Sequence, residues 1–145
     1  MRTDLKNLRQ QHDAAEQIAA TIMSRIGSYR DEYDAAAIAR LIGKLNVLLR
    51  VHFAYEDTIL YPSLMEGGDS EAAELATRFL EESGSLAPQF EEFARSWSGP
   101  SIIAAMFDRF SEEATVLLAA LGARIEREHD FLYPLAERVA GKRAA

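Results

Sequence analysis

Residues 51–62 read VHFAYEDTILYP, and residues 123–134 read ARIEREHDFLYP. Laid over one another, both carry a Glu, three further residues, then Leu-Tyr-Pro: Glu56 with Leu60-Tyr61-Pro62, and Glu128 with Leu132-Tyr133-Pro134. Four residues before each Glu the copies differ, with His52 in the first and Arg124 in the second. Positions i and i+4 share one face of an α-helix, about 5–6 Å apart. Each copy therefore predicts a helix that turns a carboxylate and a nitrogen-bearing side chain to the same side.

Outward from these stretches the helical period dominates. The second copy's stripe runs back through Leu121, Leu117, Ala114, Phe110, Phe107 and Ile103, and forward to Leu132 and Leu135. That predicts a helix from near Ser101 to Gly141. The first copy's stripe is Ile38, Leu41, Leu45, Leu48, His52, Tyr55 or Glu56, and Ile59, which predicts a helix from an N-cap at Asp34 to Gly67-Gly68. Ahead of it, Leu5, Leu8, Ala15, Ala19, Ile22 and Ile26 mark a helix over 4–26, stopped by Gly27, with His12 filling the gap in its stripe. Between the two copies, Ala72, Ala76, Phe79, Ser83, Leu86, Phe90, Phe93 and Trp97 hold their spacing through Gly84 and Pro88. This spacing predicts one helix from Asp69 or Ser70, kinked near Pro88, and SWSGPS breaks the chain before the last helix. No period-2 run bounded by turns is present. Four amphipathic helices with short links predict an all-α, antiparallel up-down four-helix bundle, with residues 1–145 as one domain. Helices two and four are then parallel, so the two copies lie at one level of the core.

Composition removes whole classes of function. The chain holds 16 basic and 23 acidic residues, a net charge of −7, so nucleic acid and anionic membranes are not expected partners. There is no cysteine, hence no disulfide, thiolate site or cysteine nucleophile. No stretch approaches the roughly 18 apolar residues of a membrane span, and MRTDLKNLRQQHD lacks the apolar centre of a signal peptide. A soluble, cytoplasmic protein is expected. No Ser or Thr has a neighbouring acid–base set and no phosphate-loop glycine pattern occurs, so the chain is not expected to be an enzyme.

The stripes place His12, His52, Glu56, Arg124 and Glu128 toward the core. One core-facing His is more often a satisfied structural residue than a ligand. Ligand-type residues from three helices at one depth are a stronger signal, because bundle interiors house iron or manganese in this way. His129 stands one helical step off the Glu128 direction and reads as a flanking residue beside the ligands. Tyr61 and Tyr133, each before a proline, read as packing at a helix end, and Phe79, Phe90, Phe93 and Trp97 as plain core.

These residues resemble the hemerythrin-like, or HHE cation-binding, family: QHDAAEQIA in helix one, HFAYEDTILYP in helix two and EREHDFLYPLAE in helix four, nearly the whole chain. The resemblance implies an up-down four-helix bundle whose full members hold a non-haem di-iron centre for dioxygen binding or for redox and nitric-oxide stress responses. It also implies ligands at His12, at His52 and Glu56, at two positions of helix three that here hold Ser83 and Ala87, and at a His and a carboxylate of helix four. That carboxylate is Glu128, while Arg124 holds the place of the imidazole. Three of the seven ligand positions are thus vacant of their imidazoles. The resemblance leaves two expectations. In one, His12, His52, Glu56 and Glu128 hold a single iron, zinc or manganese ion at low occupancy, with Arg124 steadying a carboxylate and a position open to a small ligand such as dioxygen. In the other, no metal is bound, Arg124 plugs the former di-iron site, and the bundle is a structural or signalling module for a protein partner that the sequence does not identify.

Overall fold

Asp31 opens the second rod of the molecule. Its carboxylate caps the helix while the Asp34 carboxylate, three residues on, accepts from the Asp31 backbone amide, a reciprocal capping box. The helix therefore starts three residues before the N-cap expected at Asp34, because Asp34 closes the box rather than opening the helix.

The computed structural model describes residues 5–144, with side chains through 142. Asp4, the expected start of the first helix, lies outside them, as do residues 1–3 and 145. The elements are α1 (Leu5–Gly27), α2 (Glu32–Tyr55), a π-helical turn (Glu56–Leu60), α3 (Tyr61–Glu66), α4 (Ser70–Ser83), α5 (Leu86–Ser96), α6 (Pro100–Ala105), α7 (Phe107–Arg127), a second π-helical turn (Glu128–Leu132) and α8 (Tyr133–Ala144). They assemble into four rods: α1, α2–α3, α4–α5 and α6–α8. α1 packs on α2 and α7, α2 on α5 and α6, and α4 on α3, α7 and α8. The architecture is the all-α antiparallel bundle that the periodicity predicts. Among the described residues there is no strand, and no helix is long and apolar enough to cross a membrane.

The rods are broken where local chemistry demands it. In the third, the interruption falls at Gly84-Ser85, a few residues before the kink expected near Pro88. Pro88 has no N–H for the Gly84 carbonyl four residues back, which loosens that turn. The Gly84 amide still bonds the Leu80 carbonyl at 2.7 Å, and a Cβ at Gly84 would stand 2.4 Å from that oxygen. Only glycine fits this approach. The fourth rod is not the continuous helix expected from Ser101. It starts at Pro100 and breaks at Met106 (φ −130°, ψ 44°), beside the stacking of Phe107 on Tyr29 from the α1–α2 link. Gly141 does not end α8, which continues to Ala144.

The two π-turns set the register that matters for function. Each widened turn carries an amide of residue i+5 back to the Glu carbonyl: Tyr61 N to Glu56 O, and Tyr133 N to Glu128 O. Inserting one residue into the helical period rotates the downstream helix by about 100°. Ile59, expected on the buried stripe, is only partly covered, while Leu60 and Tyr61 are fully buried. Pro62 and Pro134, which lack an amide to donate, stand directly after the tyrosines.

Two apolar layers frame one polar layer. The larger layer runs through Ile22, Ile38, Leu45, Phe53, Phe90, Phe110, Leu121 and Ile125. The smaller holds Leu8, Leu60, Leu64, Ala76, Phe79, Leu132 and Val139. On every rod the buried polar residue stands in the chain between members of the two: His12 between Leu8 and Ala15, His52 and Glu56 between Leu49 and Leu60, Ser83 between Phe79 and Leu86, Arg124 and Glu128 between Leu121 and Leu132.

Candidate metal centre

His12, His52, Glu56 and Glu128 converge, as the stripes predict. One ligand-type atom from each lies within 4.8 Å of the others, and all four side chains are buried. α1 supplies His12, the end of α2 supplies His52, and Glu56 and Glu128 are the first residues of the two π-turns. His12 Nε2 is 2.9 Å from Glu128 Oε1. His52 Nε2 is 3.2 Å from Glu56 Oε1 and 4.0 Å from Glu128 Oε1. The imidazole centroids are 4.6 Å apart.

Two tyrosines belong to the same cluster, which corrects their reading as helix-end packing. Tyr61 donates its hydroxyl hydrogen to Glu128 Oε2 at 2.8 Å, and Tyr133 donates to Glu56 Oε2 at 2.6 Å. Each copy of Leu-Tyr-Pro thus serves the carboxylate of the other copy. An α-helix would not place a residue five positions after Glu on the Glu face; the π-turn does. Tyr133 oxygen also lies 2.9 Å from His12 Nε2. Burial, and then the carboxylates, push both phenols far above the ordinary tyrosine range, so they act as donors. Tyr61→Phe or Tyr133→Phe is expected to cost about 1.5–3 kcal/mol each, the range for a hydrogen bond to a charged group. Urea unfolding measures this, and a loss under about 0.5 kcal/mol would mean that the hydroxyls do not support the carboxylates.

Arg124 is the other half of the centre. Nε donates to Glu128 Oε2 at 3.0 Å, Nη2 to Glu56 Oε1 at 3.1 Å and to Asp57 Oδ1 at 3.2 Å, and Nη1 to the Ser83 carbonyl at 3.1 Å. Its guanidinium carbon lies 4.2 Å from the centroid of the Phe53 ring. Burial opposes its charge, but Glu128 and Glu56 outweigh burial and hold it firmly protonated. Ser83 takes part through its backbone rather than its hydroxyl, which bonds the Phe79 carbonyl. Its carbonyl is in the last turn of α4, where helix carbonyls lack partners and favour cations. Ala87 is half-buried and apolar, so the third rod offers no side-chain ligand at either position. His129 flanks Glu128 in the chain but lies on the outer surface. It is exposed and pairs with neighbouring Asp130, one helical step round from Glu128 and away from the cluster.

Burial favours the neutral form of the carboxyls and imidazoles of the centre. Burial raises the pKa of Glu56 above the ordinary carboxyl range, opposed by its contacts with Glu128, Arg124 and Tyr133. Burial also raises that of Glu128, and the Glu56 charge adds to the effect. Burial lowers His12 and brings His52 down to about 4, so both imidazoles are neutral near pH 7. One guanidinium thus faces two carboxyl groups whose charge burial disfavours, and touches Asp57 as well.

A cation fits this set on one observation. His52 Nδ1 lies 2.8 Å from the Gln11 side-chain oxygen. With the amide oxygen turned to the ring, that oxygen accepts, Nδ1 carries the ring proton and Nε2 presents a lone pair. Nε2 is buried without a hydrogen-bond partner, facing carboxylate oxygens that also present lone pairs. Electron-rich atoms so arranged lack the positive charge that would reconcile them. Once the His12 Nε2 proton, which lies between Glu128 Oε1 and the Tyr133 oxygen, is given up or moved to Nδ1, two imidazole nitrogens and two carboxylates are a donor set for iron, zinc or manganese.

Residues 3–136 match the model of the hemerythrin HHE cation binding domain family. No curated protein and no solved structure matches the chain.

Proposed function

The chain belongs to the hemerythrin HHE cation-binding domain family, and on that premise we propose that it holds one non-haem metal ion in a reduced centre. His12, His52, Glu56 and Glu128 are the ligands, with iron first among the candidates, zinc or manganese next, and occupancy low. The observation that carries this reading is the buried, unpartnered Nε2 of His52 among those donors. A bound ion would supply an open coordination position for a small molecule such as dioxygen, in the service of dioxygen, redox or nitric-oxide sensing rather than turnover. The chain's own residues hold the ligands in place. Tyr61 and Tyr133 fix one oxygen of each carboxylate, Arg124 offsets part of their charge, and the apolar layers on either side exclude water. The low occupancy follows from charge. The permanently charged guanidinium of Arg124 lies against Glu56 and Glu128 and repels a divalent ion, so affinity falls below that of a site with a full ligand set.

A second reading has its own support in Arg124, whose guanidinium is seated on four acceptors. In this reading the cation is the guanidinium, the centre is metal-free, and the bundle is a structural or signalling module. Elemental analysis of protein purified without added metal, with an absorption spectrum before and after anaerobic Fe(II) loading, separates the two. The metal reading expects iron to rise on loading, and His52→Ala to weaken binding by about 100-fold, the upper end of what even outlying support residues contribute. Iron that stays substoichiometric after loading, with no change in His52→Ala, would leave the metal-free reading standing.

A further inference from the structure

We propose that Gln11 is a positioning residue for this centre: its amide oxygen holds His52 as the Nδ1–H tautomer and aims Nε2 into the carboxylate pair. The inference rests on the reading that the four-donor cluster takes a cation. Gln11 is half-buried on α1 and lines a groove with Ala14, Leu48 and Val51, outside the cluster itself. Only its oxygen reaches inward, 2.8 Å from His52 Nδ1.

The chemistry explains why such a residue is needed. A neutral imidazole carries one ring proton, and beside buried carboxylates the natural place for it is the nitrogen that faces them. His52 Nε2 stands 3.2 Å from Glu56 Oε1 outside hydrogen-bonding geometry, so a proton drawn to that nitrogen by the carboxylate charge would close it to any cation. An acceptor at Nδ1 tips the balance the other way. His12 shows the contrast: its Nδ1 is buried without a partner, while its Nε2 lies 2.9 Å from both Glu128 Oε1 and the Tyr133 hydroxyl. Of the two imidazoles, only His52 has a side-chain oxygen at its outward nitrogen and no partner at its inward one. One turn of α1 therefore supplies both a donor, His12, and the orientation of the donor on the next helix. Histidines that bind metals depend on such partners at the outward nitrogen.

The test uses the full chain, with Gln11→Met, which keeps length and removes the acceptor, and Gln11→Glu, which keeps the acceptor. In metal-free protein near neutral pH, long-range nitrogen–proton correlation spectra of the His52 ring report the tautomer directly. Wild type and Gln11→Glu are expected as Nδ1–H, and Gln11→Met shifted toward Nε2–H. Titration with Mn(II) is expected to show Gln11→Met binding about tenfold more weakly, the lower end of the range for such partners, and Gln11→Glu no weaker than wild type. A His52 ring that remains Nδ1–H in Gln11→Met overturns the proposal. So do equal losses in both variants, which would assign the effect to packing. An Nδ1–H wild type that shifts in Gln11→Met yet binds no Mn(II) upholds the role of Gln11 and overturns the cation reading instead.

Discussion

Arg124→Ala is expected to destabilise the protein by about 3–5 kcal/mol, the cost of removing one partner from a buried ionic network. For a chain of this length that corresponds to a fall in Tm of roughly 10–15 °C. The reason lies in what remains. Glu56 and Glu128 would keep the hydroxyls of Tyr61 and Tyr133 but lose the guanidinium that touches both, and the Ser83 carbonyl would lose its donor. The effect carries a pH signature. Both carboxyls are already raised by burial, and without Arg124 they rise further. A group whose folded pKa is raised contributes stability below its unfolded pKa and loses it as pH climbs through the folded value. The variant's deficit is therefore smallest near the ordinary carboxyl pKa of 4.5 and widens toward neutral pH. His12, lowered by burial in both proteins, cancels in the difference, while His52, lowered by burial and also by Arg124, is lowered less in the variant, which narrows the deficit further at acid pH. Chemical unfolding of both proteins at a series of pH values checks the prediction. A deficit below about 1 kcal/mol at neutral pH would mean that the network contributes no more than an exposed ion pair.

The same centre shows what an unaided sequence reveals and what it hides. His12, His52, Glu56, Arg124 and Glu128 were legible because each keeps the 3.6-residue period of its stripe, and period is read directly from sequence. Tyr61 and Tyr133 were not, because five residues after Glu is the wrong face in an α-helix. Their signal was nonetheless present: a Glu-to-Tyr spacing of five, repeated, with a proline immediately after each time. The widened turn between each Glu and its proline carries the tyrosine round to the Glu face. Gln11 was hidden for another reason. It neighbours His12 in sequence but acts across the helix interface on His52, a relation that one helix's periodicity does not encode. The break at Met106 has no Gly or Pro within four residues to announce it.

Arg124→His separates the two readings of the centre most sharply, and divalent metal is expected to bind this variant about 10²–10³-fold more tightly than wild type. The estimate is Coulombic. A guanidinium and a divalent ion about 5 Å apart at an effective dielectric near 20 repel by roughly 7 kcal/mol. Glu56, Asp57 and Glu128 accept the guanidinium's hydrogen bonds and offset part of its field. Halving the figure for that reason leaves about 3–4 kcal/mol, or 10²–10³-fold. The new imidazole would also stand four residues before Glu128, as His52 stands before Glu56, so the substitution adds a donor while removing a charge. Without metal, the variant should be nearly as unstable as Arg124→Ala, because its carboxylates lose the same partner. With metal at about 100 times its dissociation constant, linkage returns about 2.7 kcal/mol. Tm should therefore respond far more to Mn(II) or anaerobic Fe(II) in Arg124→His than in wild type. Tighter metal uptake with recovered Tm would show that the guanidinium occupies the place of a cation and that the remaining donors still form a site. Instability that metal does not relieve would show that the four donors alone do not make one, and that the hydrogen-bonded Arg124 network is itself what the polar layer of this bundle is built to hold.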